Sequence, residues 1–356
     1  MEHRDIVVIG ASAGGVAAIS TILSAMPPDV EAAILIVLHT ADRARSLLPQ
    51  ILARAGKLPV CHPADGEPIE RGRVYVAPPG FHMLVESGIV RVMQGPRENL
   101  QRPAIDPLFR SAAASYGRRV IGIILTGMMD DGTAGLMVVS ASGGIAIVQD
   151  PGTALFAGMP KSALDHVPGA QAAPLQQIPD LLLQVIRSPL CAMEQPGDTL
   201  LEPVKETRIA ELDMNEISSE ERLGQPSPFA CPDCGGVLWE IEQNGFLRFR
   251  CRVGHALTAK HLGAEQRHAV ETALWEALRA LEESASLYRR MAGRATASRH
   301  FLPARQFADR ATNTEANARI LRDFLLRVNT DQTSDPLHPL QSLEHSPEPG
   351  EVDDQA

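Results

Sequence analysis

The first half of the chain alternates short, nearly unbroken apolar runs with longer segments in which apolar residues recur every three or four positions. The runs fall at 5–10, 33–38, 74–77, 120–126 and 144–149. A strand covered by helices on both faces has no polar side to alternate with, so these runs predict buried strands of a parallel sheet. Segments 16–26 and 47–55 have the helical spacing expected of the crossovers. Segment 82–93 differs: two alternating runs flank Glu86-Ser87-Gly88, which predicts an antiparallel hairpin. The expected fold is α/β, a doubly wound, mostly parallel sheet with one antiparallel hairpin.

From about 190 to 228, Pro, Gly, Glu and Ser increase and apolar periodicity fades, as in a linker. A small cysteine-bearing unit follows. Beyond it, Val270, Leu274, Ala277, Leu281, Tyr288 and Met291 recur at helical spacing, as do Phe307, Ala311, Ala318, Leu321, Leu325 and Val328. Pro303 stands between the two stripes and predicts a C-terminal antiparallel helical hairpin. The expected organisation is an α/β domain at 1–190, a linker at 191–228, a knuckle at 229–260, a hairpin at 261–330 and a tail at 331–356. That tail holds seven Asp or Glu, no Lys or Arg and several prolines, the composition of a disordered segment.

Composition narrows the function classes. The tail accounts for most of the net charge of −10, and no basic stripe marks a nucleic-acid partner. No window of eighteen apolar residues occurs, and the apolar stretch at 6–9 is too short for a signal peptide. No membrane insertion and a cytoplasmic location are therefore expected. Five cysteines, an odd number without a signal, argue against a disulfide framework. Aromatic residues make up only 4%, so Val, Ile, Leu and Ala must fill the core.

The first run ends in Gly10-Ala11-Ser12-Ala13-Gly14-Gly15, and an amphipathic segment begins at once. Gly10–Gly14 fits G-x-S-x-G between a strand and a helix, where a sharp turn lifts a serine hydroxyl above the sheet. The helix start would offer amide hydrogens, Ala13 among them, to a developing oxyanion. A phosphate-binding loop is a rival reading, but it wants glycine where Ser12 stands, and Glu31 precedes the second strand instead of ending it. A glycine-rich turn that binds nothing is the third.

A serine nucleophile needs a histidine base and an acid to orient it. His39 ends the second predicted strand, and Asp131 lies in the loop after the 120–126 run. His62, His82 and His166 are alternative bases, and Asp130 and Asp131 could both be turn formers before Gly132.

Ile9-Gly10-Ala11-Ser12-Ala13-Gly14-Gly15, His39, Tyr75-Val76-Ala77-Pro78, Arg102-Pro103, Asp106-Pro107-Leu108-Phe109, Leu125-Thr126-Gly127-Met128, Asp131-Gly132 and Gly158-Met159-Pro160 occur in one order over residues 5–187. In these motifs the chain resembles the catalytic domain of CheB, the protein-glutamate methylesterase of bacterial chemotaxis. The resemblance implies Ser12 as nucleophile, His39 as base, Asp131 as acid and the Met128 amide as oxyanion contact, with no cofactor for catalysis. It also implies a methylated receptor or signalling protein as substrate, and glutamine deamidation as a companion activity. Ala13, Met129 and Gln101 depart from the usual threonine, glycine and histidine. The family's usual receiver domain is expected to be absent, since the esterase strand begins at residue 5. The competing reading is a non-catalytic adaptor that keeps the esterase fold as a scaffold.

Cys231, Cys234, Cys251 and His255 have the spacing C-x2-C-x16-C-x3-H. Two such knuckles complete a closed tetrahedral Zn²⁺ site, so a structural zinc knuckle is expected. With no open position for substrate, its role would be to hold the fold. The helical hairpin behind it is a candidate docking element for a partner protein.

Overall fold

The apolar runs become strands of one parallel sheet. In chain order the first ten strands are β1 (Ile6–Ala11), β2 (Ala33–Leu38), β3 (Val60–Cys61), β4 (Glu67–Pro68), β5 (Val74–Val76), β6 (His82–Glu86), β7 (Ile89–Met93), β8 (Val120–Ile124), β9 (Ile145–Gln149) and β10 (Gln171–Ala173). Seven of them pair in the order β10-β9-β8-β1-β2-β5-β3, all parallel. The predicted hairpin is β6 with β7, extended by β4 into a small antiparallel sheet. The computed structural model describes residues 3–40, 46–190, 201–210 and 223–332. Residues 1–263 make one compact unit and 264–356 another.

Every residue of β1 and β2 is buried, because each face of the sheet carries its own layer of helices. On one face Val7, Ile9, Ile34 and Ile36 pack with Ile19 and Ile22 of α1 (Gly15–Ala25), Leu52 of α2 (Leu48–Ala55) and Leu182 of α6 (Ile178–Arg187). On the other, Ile6, Val8, Leu35 and Val37 meet Phe109 of α3 (Ile105–Tyr116), Leu136 of α4 (Thr133–Ala141) and Met159 of α5 (Gly158–His166). The strand order reverses between β1 and β8, and the carboxyl ends of strands at such a switch point are where open α/β sheets place their sites.

The segment read as a linker contains a helix, α7 (Leu201–Ala210), with Glu206 and Ala210 buried. After it come β11 (Gln225–Ala230), β12 (Val237–Gln243), β13 (Phe246–Cys251) and β14 (Ala256–Thr258), one antiparallel sheet that carries the cysteines. This sheet belongs to the same compact unit as the α/β layers. Phe246 joins the core beneath β1 and lies against the His166 ring. Glu98 pairs with Arg110 at 2.8 Å and with Arg250 at 3.2 Å, while Glu206 pairs with Arg248 at 2.9 Å and Arg250 at 3.2 Å. Two carboxylates and three guanidiniums from the α/β layers, α7 and β13 thus pair in the interior, as buried charges must.

In the second unit α8 (Ala259–Ala297), most of which lies there, is followed by α9 (Phe301–Gln332). Leu278, Ala318 and Leu325 are buried between them, with Leu274, Leu281 and Leu321 alongside. Val270 and Ala277, placed on the contact stripe from spacing, are exposed. The break also differs from the expectation. It falls at residues 298–300, where Arg299 is left-handed with φ 59°, and Pro303 lies in the first turn of α9. A proline there removes an N–H that has no helical partner, so it starts a helix instead of separating two. The Val328 side chain and the acidic tail from 333 onward lie outside the described residues. No helix among the described residues is long and apolar enough to cross a membrane.

Candidate active site

Three side chains meet at the carboxyl ends of these strands. Ser12 follows β1, His39 follows β2, and Asp131 lies between β8 and α4. The Ser12 amide donates to the Thr126 carbonyl at 3.0 Å, which ties the turn after β1 to the end of β8. Gly14 takes the left-handed conformation, φ 77°, at the N-terminus of α1. Ser12 is absent from the positive-φ residues, so the match to a nucleophile elbow is one of spacing and placement, with the strain carried by a glycine. A Cβ on Gly127 would come within 3.0 Å of Ser12 Cβ and 2.1 Å of Met159 Sδ, so only glycine lets the second loop approach this closely.

The His39 Nδ1 atom faces Ser12 Oγ at 3.1 Å and its Nε2 faces Asp131 Oδ2 at 2.7 Å. The carboxylate can only accept, so Nε2 carries the proton and Nδ1 is left to accept from the serine. Asp131 is buried and also accepts from the Ile105 amide at 2.7 Å, the Gly132 amide at 2.9 Å and Asn99 Nδ2 at 2.7 Å. Burial alone would raise its pKa. The His39 hydrogen bond and charge, the Ile105 amide and Asn99 outweigh that and hold it well below the usual carboxylate range.

The other predicted positions sort out by geometry. Asp130 makes no bond to His39; its Oδ1 accepts from Thr258 Oγ1 at 2.7 Å and lies 3.1 Å from His261 Nδ1. His82 is fully buried between the Pro96 carbonyl and the Ala104 amide, and burial lowers its pKa. His62 and His166 bond to the carbonyls of Val76 and Ser162. None of the three occupies the place beside Ser12. For the oxyanion, the Ser12 amide is taken by Thr126 and the Gly127 amide by Phe156. The Ala13 and Met128 amides have no acceptor among the described residues.

Two residues without an assigned role in the sequence reading sit directly behind Asp131. Asn99 is buried and left-handed, φ 52°, and its amide nitrogen donates one hydrogen to Asp131 and the other to Asp106 Oδ2 at 2.9 Å. Asp106 caps α4 by accepting from the Gly135 amide at 2.6 Å. Burial, and then the Asp131 charge, raise its pKa. The only sequence signal for Asn99 is an asparagine three residues before Arg102-Pro103, a type that tolerates φ above zero.

Cys231, Cys234, Cys251 and His255 converge, their ligand atoms all within 4.8 Å of one another. Cys234 Sγ lies 3.7 Å from Cys251 Sγ, and His255 Nδ1 lies 3.5 Å from Cys251 Sγ and 3.7 Å from Cys231 Sγ. A tetrahedron with the bond lengths of Zn–S and Zn–N has edges of about 3.5–3.8 Å. The donor set fits a zinc ion, with all four ligands supplied by protein, and these three separations match such edges.

A parallel sheet with a serine–histidine–carboxylate relay at its switch point has the architecture of a serine hydrolase. The CheB methylesterase family profile matches residues 7–182. Over 184 residues the chain is 38% identical to a Leptospira interrogans relative whose name carries protein-glutamate methylesterase and protein-glutamine glutaminase activities, and covers 95% of it. It is 39% identical over 183 residues to protein-glutamate methylesterase/protein-glutamine glutaminase 2 of Anaeromyxobacter dehalogenans, covering 51% of this chain and spanning only 54% of that relative. The crystal structure of the Thermotoga maritima CheB methylesterase catalytic domain matches with a TM-score of 0.50 and 32% identity, over 52% of this chain and the whole of that one. The chain belongs to the CheB methylesterase family.

Proposed function

We propose that the protein hydrolyses γ-glutamyl methyl esters on a methylated receptor or other signalling protein, with Ser12 as nucleophile, His39 as general base and Asp131 as orienting acid. The observation that carries this is the continuous relay from Ser12 Oγ through both nitrogens of His39 to Asp131. The names of the relatives support the substrate class.

In this reading Ser12 Oγ attacks the ester carbonyl as its proton passes to His39 Nδ1. The oxyanion of the tetrahedral intermediate points at the Ala13 and Met128 amides. Asp131 stabilises the imidazolium, which returns the proton to the departing methoxide, and methanol leaves. Water, deprotonated by His39, then opens the acyl-enzyme to a glutamate carboxylate and free Ser12. With a glutamine side chain the same steps expel ammonia, which is deamidation. No cofactor enters this sequence, because each proton moves between side chain and substrate.

The four ligands at 231–255 are proposed to hold one structural Zn²⁺, supported by the donor set and by three of its edge lengths. The α8–α9 hairpin is proposed as a docking element for a partner protein, with Trp275, Ile320 and Phe324 exposed on it. Methanol release from a methylated receptor fragment tests the catalytic reading. The wild type should release methanol and Ser12→Ala should not; a folded wild type inert on every methylated protein offered would favour the adaptor reading.

A further inference from the structure

The cysteine sheet lies outside the family-matched segment, yet its last strand closes directly over the residue that holds Asp131. The Asn99 amide donates to the Ala256 carbonyl at 2.8 Å, and the Ala256 amide donates to the Arg97 carbonyl at 3.2 Å. Two residues on, the Thr258 amide donates to Asn99 Oδ1 at 3.2 Å. Asn99 is thereby held by β14 through both its backbone amide and its side-chain oxygen, and its amide nitrogen points at Asp131. Next door, Thr258 Oγ1 and His261 grip Asp130 at the start of α8. His255, the fourth ligand of the cysteine site, immediately precedes Ala256.

We propose that Asn99 is a positioning residue for the triad acid and that the metal-loaded Cys231/Cys234/Cys251/His255 site keeps it in register, so that full turnover requires metal. This rests on the catalytic reading above. The short connection from Cys251 to β14 is closed by two backbone bonds, Cys251 N to His255 O and Gly254 N to Cys251 O. Cys251 and His255 are both ligands, so a bound ion would close the same connection a third time, and its loss would remove that closure. When the ion leaves, the connection loosens, the Thr258 amide withdraws, and Asn99 can turn its donors away from Asp131. The carboxylate then has fewer bonds fixing its orientation, and His39 is aimed less well at Ser12. Displacements of this kind, remote from the reacting atoms, cost about 10- to 100-fold in rate.

The test uses the full-length chain and Zn²⁺ itself. Metal content per chain, thermal unfolding, the rate of fluorophosphonate labelling at Ser12, and kcat and KM are followed through chelation and reloading. Stripping should slow labelling and lower kcat about 10- to 100-fold with KM nearly unchanged, and Zn²⁺ should restore both. Asn99→Gly, which suits a left-handed position, should show the same loss with its metal still bound. Stripping Asn99→Gly should then add little, because both changes remove one interaction. Equal labelling rates with and without metal would overturn the proposal, as would fully additive losses. If the stripped chain unfolds, the metal-loaded Asn99→Gly protein decides: unchanged kcat overturns it. A metal-loaded wild type that never labels at Ser12 sinks the catalytic reading instead.

Discussion

His39 presents Nδ1 to Ser12 at 3.1 Å, leaving Nε2 for the acid. The neutral ring must therefore carry its proton on Nε2, a preference imposed by Asp131. Asp131→Asn removes that imposition, since an amide can offer the ring a donor instead of an acceptor. Turnover should fall by roughly 10⁴-fold with the fold intact. Nitrogen-15 spectra of labelled histidine should show the Nε2–H form in the wild type and its loss in the variant.

The adjacent carboxylate gives the contrasting case. Asp130 is as buried as Asp131 but is bonded to Thr258 and His261, not to His39. In Asp130→Asn the remaining side-chain oxygen still accepts the Thr258 hydroxyl. Its kcat should drop less than about 10-fold, against the far larger loss for Asp131→Asn. A reversed order in steady-state kinetics would mean that the wrong acid has been assigned.

Much of this was legible from sequence, for a physical reason. Strands buried on both faces have nowhere to put polar residues, so β1, β2, β8 and β9 announce themselves as apolar runs, and the strand ends locate Ser12 and His39. The cysteine spacing likewise encodes two knuckles. What was not legible depends on tertiary packing. Glu206 reads as a solvated charge in a polar linker; the arginines of β13, with Arg110 of α3, make its burial in α7 tolerable. Asn99 has no pattern of its own, since its importance comes from Asp131 on one side and Thr258 on the other. Pro303 misled because helix breaking and helix starting are the same property at different positions.

The buried charge cluster should make the cysteine sheet a stabilising part of the first unit. Burial opposes ionisation of Glu98 and Glu206, but Arg110 and Arg250, with Arg248 for Glu206, hold both carboxyls below their ordinary range. A depressed carboxylate stabilises the fold above its unfolded pKa and loses that contribution as pH falls through the folded value. Glu206→Gln should cost about 3–5 kcal/mol at neutral pH, because three arginines lose a charge partner. It should also flatten the loss of stability on acidification, measured by urea unfolding across pH. A truncation ending at residue 190 should unfold at lower urea than the full chain, as Glu98 and Arg110 lose Arg250 and Glu206.

The metal site predicts one zinc per chain in purified protein. Cys234→Ser should lose most of it and loosen residues 225–258, seen as faster amide exchange in β12 and β13 while β1 and β8 remain protected. Zinc-free wild type with a fully protected β13 would remove the knuckle from the account.

Peptide mapping after reaction with a fluorophosphonate tests the catalytic triad most directly, because only an activated serine is attacked. The account predicts a single adduct on Ser12, absent from Ser12→Ala and formed orders of magnitude more slowly in Asp131→Asn. An adduct on another residue, or equal labelling of wild type and Ser12→Ala, would contradict it.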